Sequence, residues 1–171
     1  MNVKMTNRLP VEFFATRGVG DSDNEIHAGS YHIALHQAGI SDYNIMTYSS
    51  VLPANAYYIS KELAKKPPFG SELMTIMSVA HGEKDDIISA GIIYGWLYDD
   101  DNKKIGGLVC EVAGKMDENS LVFKLNAAIN ELHDRTYSQY RLRDITQMTK
   151  MHRVKRKYGT CLCALCFTEF E

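Results

Sequence analysis

From Ile87 to Val112 the chain reads IISAGIIYGWLY, then DDDNKK, then IGGLVCEV. Two runs rich in β-branched and aromatic residues flank a polar turn, Asp99 to Lys104, which is the pattern of a β-hairpin. A lone hairpin is barely stable in water, so this one demands a larger sheet to bury its apolar side chains. A further β-type run, Ser71 to His81, precedes it. An apolar strand begins at Thr160, after a basic stretch from Lys150 to Lys157. Near the start, VEFFAT (Val11 to Thr16) reads as a strand that enters a turn-rich acidic loop, GVGDSD at 18 to 23.

Two helices separate these strands. From Ala28 to Ala38 the apolar positions Tyr31, Ala34, Leu35 and Ala38 recur at helical spacing, and Gly39 stands where a C-cap belongs. From Ser120 to Arg135 the same spacing holds for Leu121, Leu125, Ala128, Ile129 and Leu132, with Ser120 as the expected N-cap. Tyr43 to Val51 alternates like a strand and is expected to stop at Leu52-Pro53, because proline cannot donate to a ladder. Residues 54 to 70, ending in AKKPPFG, read as an exposed connector. Strands and helices interleave without a βαβ rhythm, which predicts an α+β fold with mostly antiparallel sheet. At 171 residues, 45% apolar and 23% charged, with no internal repeat, the chain is expected to form one domain over 1–171.

Charge narrows the function. A net charge of −2 and a pI near 6.3 provide no global field for nucleic acid or an acidic membrane. No apolar run is long enough to span a bilayer and the start lacks the apolar stretch of a signal peptide, so a cytoplasmic protein without a membrane partner is expected. The basic run HRVKRK at 152 to 157 could touch phosphates, but few aromatics interleave with it, and a solvated helix face or an edge patch is the simpler reading. Cys163 and Cys166 form a C-x-x-C beside Cys161; without a second ligand pair they read as reduced core thiols, as does Cys110. His32 and His36 share one helix face at i, i+4, yet no third ligand follows at a fixed spacing, so no metal site is expected. No nucleophile elbow, P-loop or dinucleotide fingerprint occurs.

The serine pair Ser49-Ser50, in NIMTYSSVLP, remains. Its plain reading is two hydroxyls at a strand end. Its chemical reading is a cleavage site: attack by the second hydroxyl on the preceding carbonyl turns an amide into an ester, and elimination then cuts the chain. The new N-terminus becomes a pyruvoyl group, an electrophilic ketone that can act as an electron sink as pyridoxal phosphate does.

In these features the chain resembles the pyruvoyl-dependent arginine decarboxylases, from about Gly18 to the C-terminus. The carriers are GVGDSD at 18 to 23, YHIALHQAGI at 31 to 40, NIMTYSSVLP at 44 to 53, IGGLVCEVAGK at 105 to 115 and KYGTCLCALCF near the end. The resemblance implies a four-layer αββα sandwich, assembled as a homotrimer of cleaved protomers with sites between neighbours. It implies cleavage between Ser49 and Ser50 into a β chain, 1–49, and an α chain, 50–171, with a covalent pyruvoyl cofactor from Ser50. Asn44 matches the asparagine that polarises the carbonyl during processing. Glu111 matches the catalytic glutamate that protonates the substrate carbon once carbon dioxide has left, expected to be half-buried among Leu108, Val109 and Val112. Glu111→Gln should then permit cleavage and slow turnover.

The implied reaction turns arginine into agmatine, consuming a proton, in polyamine supply or acid resistance. One position departs. Where relatives carry a guanidinium-binding aspartate on the first helix, this chain has His32, which cannot make a bidentate carboxylate contact. Three alternatives stay open. Asp21, Asp23 and Glu25 supply the charge, or the substrate is a different amino acid, or the protein is a non-catalytic trimeric relative with a binding or regulatory role.

Overall fold

The computed structural model describes residues 8–24 and 27–171, with 27 and 28 described as backbone alone. Glu25 of the acidic segment lies outside the described residues. The elements are β1 (Pro10–Ser22), α1 (His27–Ala38), β2 (Asn44–Thr47), β3 (Val51–Pro53), β4 (Tyr57–Tyr58), β5 (Glu72–Glu83), β6 (Ile87–Tyr98), β7 (Lys104–Lys115), α2 (Glu118–Thr136), β8 (Arg141–Arg153) and β9 (Tyr158–Phe170). One sheet has the order β2-β5-β9-β1-β4, the other β3-β7-β6-β8. The second sheet is antiparallel throughout, and the first is antiparallel except for the β1–β4 and β2–β5 pairs.

Strand alternation explains the layering. Along β9, Cys163, Leu165 and Phe167 enter a cluster between the sheets with Phe13, Ile76, Ile92 and Val109. The intervening Leu162, Ala164 and Cys166 turn the other way, onto Ala34, Leu35 and Ala38 of α1. On the far side Leu121, Leu125 and Ile129 of α2 cover Ile93 of β6. The order is therefore helix, sheet, sheet, helix, and each fully buried Phe, Leu or Ile contributes about 1.5–3 kcal/mol. This is the α+β sandwich with two mostly antiparallel sheets that the sequence predicts.

Several boundaries differ. The GVGDSD segment is mostly not a loop, because Gly18 to Ser22 continue β1 opposite β9. Its glycines serve packing: a Cβ at Gly18 would sit 2.1 Å from the Ala34 carbonyl oxygen, and one at Gly20 would sit 2.2 Å from that of Ser30, so only bare backbone admits α1 this close. Gly39 does end α1, at φ +68°. Helix α2 is capped by Asp117, whose side chain accepts from Ser120 N–H at 2.8 Å, rather than by Ser120. The basic run is no helix face. It finishes β8 and turns into β9, with Val154 buried. Arg141 to Arg153, strand β8, has no clean alternation of apolar residues to betray it.

Pro53 does end a strand, but not the one expected. Tyr43 to Val51 is interrupted: β2 belongs to the five-stranded sheet and β3, with Pro53 opposite Gly106, to the edge of the other. A proline is tolerated there because an edge strand has one side without a partner.

Candidate active site

The chain crosses from one sheet to the other at Tyr48, Ser49 and Ser50. Upstream, Tyr48 N–H donates to the Thr75 carbonyl at 2.7 Å and its ring packs on Phe167, 5.7 Å between centroids. Downstream, the Ser50 carbonyl accepts from Val109 N–H at 3.0 Å, and Leu52 is buried between the sheets. The Ser49-Ser50 peptide is thus held at both ends by separate sheets.

Ser50 is half-buried, and its hydroxyl donates into the fork of the Glu111 carboxylate, with both oxygens at 2.7 Å. Glu111 follows Val109 on the face of β7 toward the other sheet, while Cys110 and Val112 turn to α2. Its expected neighbours are therefore divided: Val109 is buried on the same face, whereas Val112, and by the same alternation the buried Leu108, lie on the opposite one. The exposed Ser49 opens onto a cleft of about 340 Å³, lined also by Arg8, Pro10, Tyr48, Val51 and Pro53. Arg8 holds its guanidinium 4.4 Å above the Phe170 ring.

The other sequence-predicted residues lie apart from this pair. Asn44 opens β2, and its amide donates to the Gly70 carbonyl at 2.7 Å. Three strand steps place it about 10 Å from Thr47, and the chain runs on from there to Ser49. His32 is exposed on α1, which packs on β1 and β9. Asp21 accepts from His152 Nε2 at 2.9 Å and from Lys155 N–H at 3.0 Å. Asp23 pairs with Arg156 at 2.7 Å and accepts from Lys157 N–H, which together hold its carboxyl below the usual range, the Lys157 bond foremost. These contacts fasten the end of β1 to the β8–β9 turn. A cleft of about 420 Å³ sits at that turn, lined by charged residues that include Asp23, Glu83, Lys84 and Arg156.

The described residues contain no group of three His, Cys, Asp or Glu that could hold a metal ion. Cys163 and Cys166 cannot pair, since three residues along a strand point to opposite faces. Burial pushes the Cys161 thiol up to about 11 and that of Cys163 to about 12, and raises Cys166 as well. Cys110, half-buried, is raised to about 11 by burial, with a smaller push from the Glu111 charge. Thiolate is the reactive form. All four cysteines should therefore react slowly with an aromatic disulfide reagent at pH 8 in the native protein and promptly once it is unfolded; a fast native thiol would contradict the packing. No helix of the described residues is long and apolar enough to cross a membrane.

The bond to Glu111 had no signature in sequence beyond the family resemblance, because 61 residues separate the partners. The anchors Tyr48 and Leu52 were hidden too, since the alternation of one continuous strand misassigns them.

Comparison with known proteins places the whole chain in a family. The family model described as pyruvoyl-dependent arginine decarboxylase matches residues 12–171. A pyruvoyl-dependent arginine decarboxylase of Thermoplasma volcanium is 30% identical over 154 residues, covering 82% of each chain. The Chlamydia muridarum protein named pyruvoyl-dependent arginine decarboxylase AaxB is 29% identical, covering 96% of this chain and 93% of its own. One of Picrophilus torridus with the same general name reaches 38% over a shorter stretch, 57% of this chain and 54% of its own. With the match spanning nearly the whole sandwich and the serine pair meeting Glu111 inside it, the chain belongs to the pyruvoyl-dependent arginine decarboxylase family, carboxy-lyases with a covalently bound pyruvoyl group.

Proposed function

We propose that the chain cuts itself between Ser49 and Ser50 and then decarboxylates arginine to agmatine and carbon dioxide. The observation that carries this is the Ser50 hydroxyl in the carboxylate fork of Glu111 at 2.7 Å. A serine hydroxyl is a weak nucleophile until a base within hydrogen-bond reach takes its proton, and Glu111 is so placed. A serine with a bonded base and a tethered preceding carbonyl fits a residue that is converted into the pyruvoyl group. That group supplies the electrophilic ketone and electron sink. Glu111 remains one side chain away and returns a proton to the substrate carbon that loses carbon dioxide.

Cleavage would leave the fold intact. Residues 1–49 contribute β1, α1 and β2, while β1 pairs with β9 on one side and β4 on the other and β2 pairs with β5, all from residues 50–171. The cut protein should elute as one species in native buffer and separate into two fragments only under denaturant. A single uncut chain of 19.3 kDa on a denaturing gel would sink the reading.

Asn44, whose amide is engaged by the Gly70 carbonyl, fits the asparagine role if it serves a neighbouring protomer, as a trimer with shared sites would allow. A shared site would also bring a neighbour's His32 toward the substrate. Of Asp21 and Asp23, the exposed Asp23 is the better placed to exchange its Arg156 partner for a substrate guanidinium. Carbon dioxide release from a panel of amino acids tests the substrate. Arginine should lead, and His32→Asp should raise its turnover roughly tenfold, the scale of one charge-assisted contact; no gain would remove position 32 from specificity. A cytoplasmic location is part of the same reading. A second reading, a non-catalytic relative, is favoured by His32 and predicts no release from any amino acid.

A further inference from the structure

The carbonyl that must be attacked already accepts a hydrogen bond from a backbone group. Val51 N–H donates to the Ser49 carbonyl oxygen at 2.9 Å, an i→i+2 turn closed around Ser50. The β3 register explains why this N–H is available. Val51 lies opposite Leu108, and the Ser50 carbonyl already accepts from Val109 N–H. In an antiparallel ladder, hydrogen-bonded and non-hydrogen-bonded pairs alternate, so Val51 N–H turns away from β7. β3 is an edge strand, and among the described residues no further strand lies on that side. The N–H meets the Ser49 oxygen instead, while the Val51 side chain stays 55% exposed.

We propose that Val51 N–H is an oxyanion donor of the self-cleavage step, supplied by the same chain as the attacked carbonyl; the proposal rests on the self-cleavage reading above. Glu111 takes the proton from Ser50 Oγ, and the new bond joins Oγ to the Ser49 carbonyl carbon. The electron pair of that C=O moves to the oxygen, which becomes an alkoxide facing Val51 N–H. When the pair returns, the Ser49–Ser50 C–N bond breaks and the proton passes from Glu111 to the Ser50 nitrogen. The result is an ester and a free amine, with every atom retained and no oxidant or reductant consumed. The donor is in place before the charge develops, which is the condition under which such groups assist most. Nucleophile and donor thus flank a single carbonyl: the Ser50 side chain supplies one and the Ser50–Val51 peptide the other. Asn44, by contrast, opens β2 with its amide on Gly70.

The test removes one hydrogen. In the full chain, Val51 is replaced by its α-hydroxy acid counterpart, which keeps the side chain and exchanges the N–H for an ester oxygen. Cleavage is followed after refolding by denaturing gel and fragment mass, which separates a cut at 49/50 from hydrolysis of the introduced ester at 50/51. Loss of one oxyanion donor should slow the 49/50 cut by about 10²- to 10³-fold at an unchanged thermal midpoint. A cut at 49/50 within about threefold of the native rate would overturn the assignment. Val51→Pro removes the same N–H without costing a β3–β7 ladder bond; a folded variant that cuts at the native rate would overturn it equally. These outcomes remain distinct from failure of self-cleavage itself, which would show as a native chain that never cuts or a Ser50→Ala chain that still does.

Discussion

Ser50→Ala should remain a single chain of 19.3 kDa, with no carbon dioxide release from any amino acid, while the native chain resolves under denaturant into fragments 1–49 and 50–171. The substitution removes one atom, Oγ, and with it the nucleophile, the precursor of the ketone and the hydrogen bond to Glu111. The fold should persist. Ser50 is half-buried, its carbonyl keeps the bond from Val109 N–H, and the lost bond to the carboxylate costs about 1.5–3 kcal/mol. A loss of cleavage in a chain that still unfolds cooperatively, its midpoint lowered by only several degrees, would assign the effect to chemistry. A Ser50→Ala chain that cuts at the same bond would remove both the pyruvoyl precursor and the role of Glu111 as its base.

Glu111→Gln should impair two steps. Glutamine preserves the size of the side chain and can still bond to the Ser50 hydroxyl, but it cannot take a proton from it. General-base assistance contributes roughly 10²- to 10⁴-fold, so cleavage should slow by that factor. Any protein that does mature should then turn over arginine more slowly by a similar factor, because the same group is absent when the substrate carbon needs a proton. Cleavage read on a gel, and turnover normalised to the fraction cut, separate the two effects. Native rates of both would refute the assignment. Normal cleavage with slow turnover, the outcome expected from family resemblance alone, would restrict Glu111 to the substrate. The 2.7 Å contact is what adds the first effect.

Much of the fold was legible from local pattern. Ile87 to Tyr98 appears as β6 with the predicted bounds, and both helices follow the spacing of Ala34, Leu35 and Ala38 and of Leu121, Leu125 and Ile129. These segments bury one face or lie wholly in the core, so their composition reflects their environment. Strand β8 was hidden because most of its residues are exposed or half-buried and alternate weakly. Gly18 to Ser22 misled for another reason: glycine and aspartate signal turns, but here the glycines admit a helix and Asp21 ties to His152 across the molecule.

For the site, the sequence by itself determined which residues can do chemistry. Two adjacent serines, a downstream glutamate and a histidine in place of an aspartate are facts of residue type and order, and resemblance carries them to a family. Tertiary structure decided which of them meet. It split the run from Tyr43 to Val51 between two sheets, suspended the Ser49-Ser50 peptide between them, placed Ser50 on Glu111 and turned Val51 N–H onto the Ser49 carbonyl. The physical reason is that side-chain type is a property of one position. A hydrogen bond across 61 residues, or a backbone N–H left over by an edge-strand register, arises when strands pair.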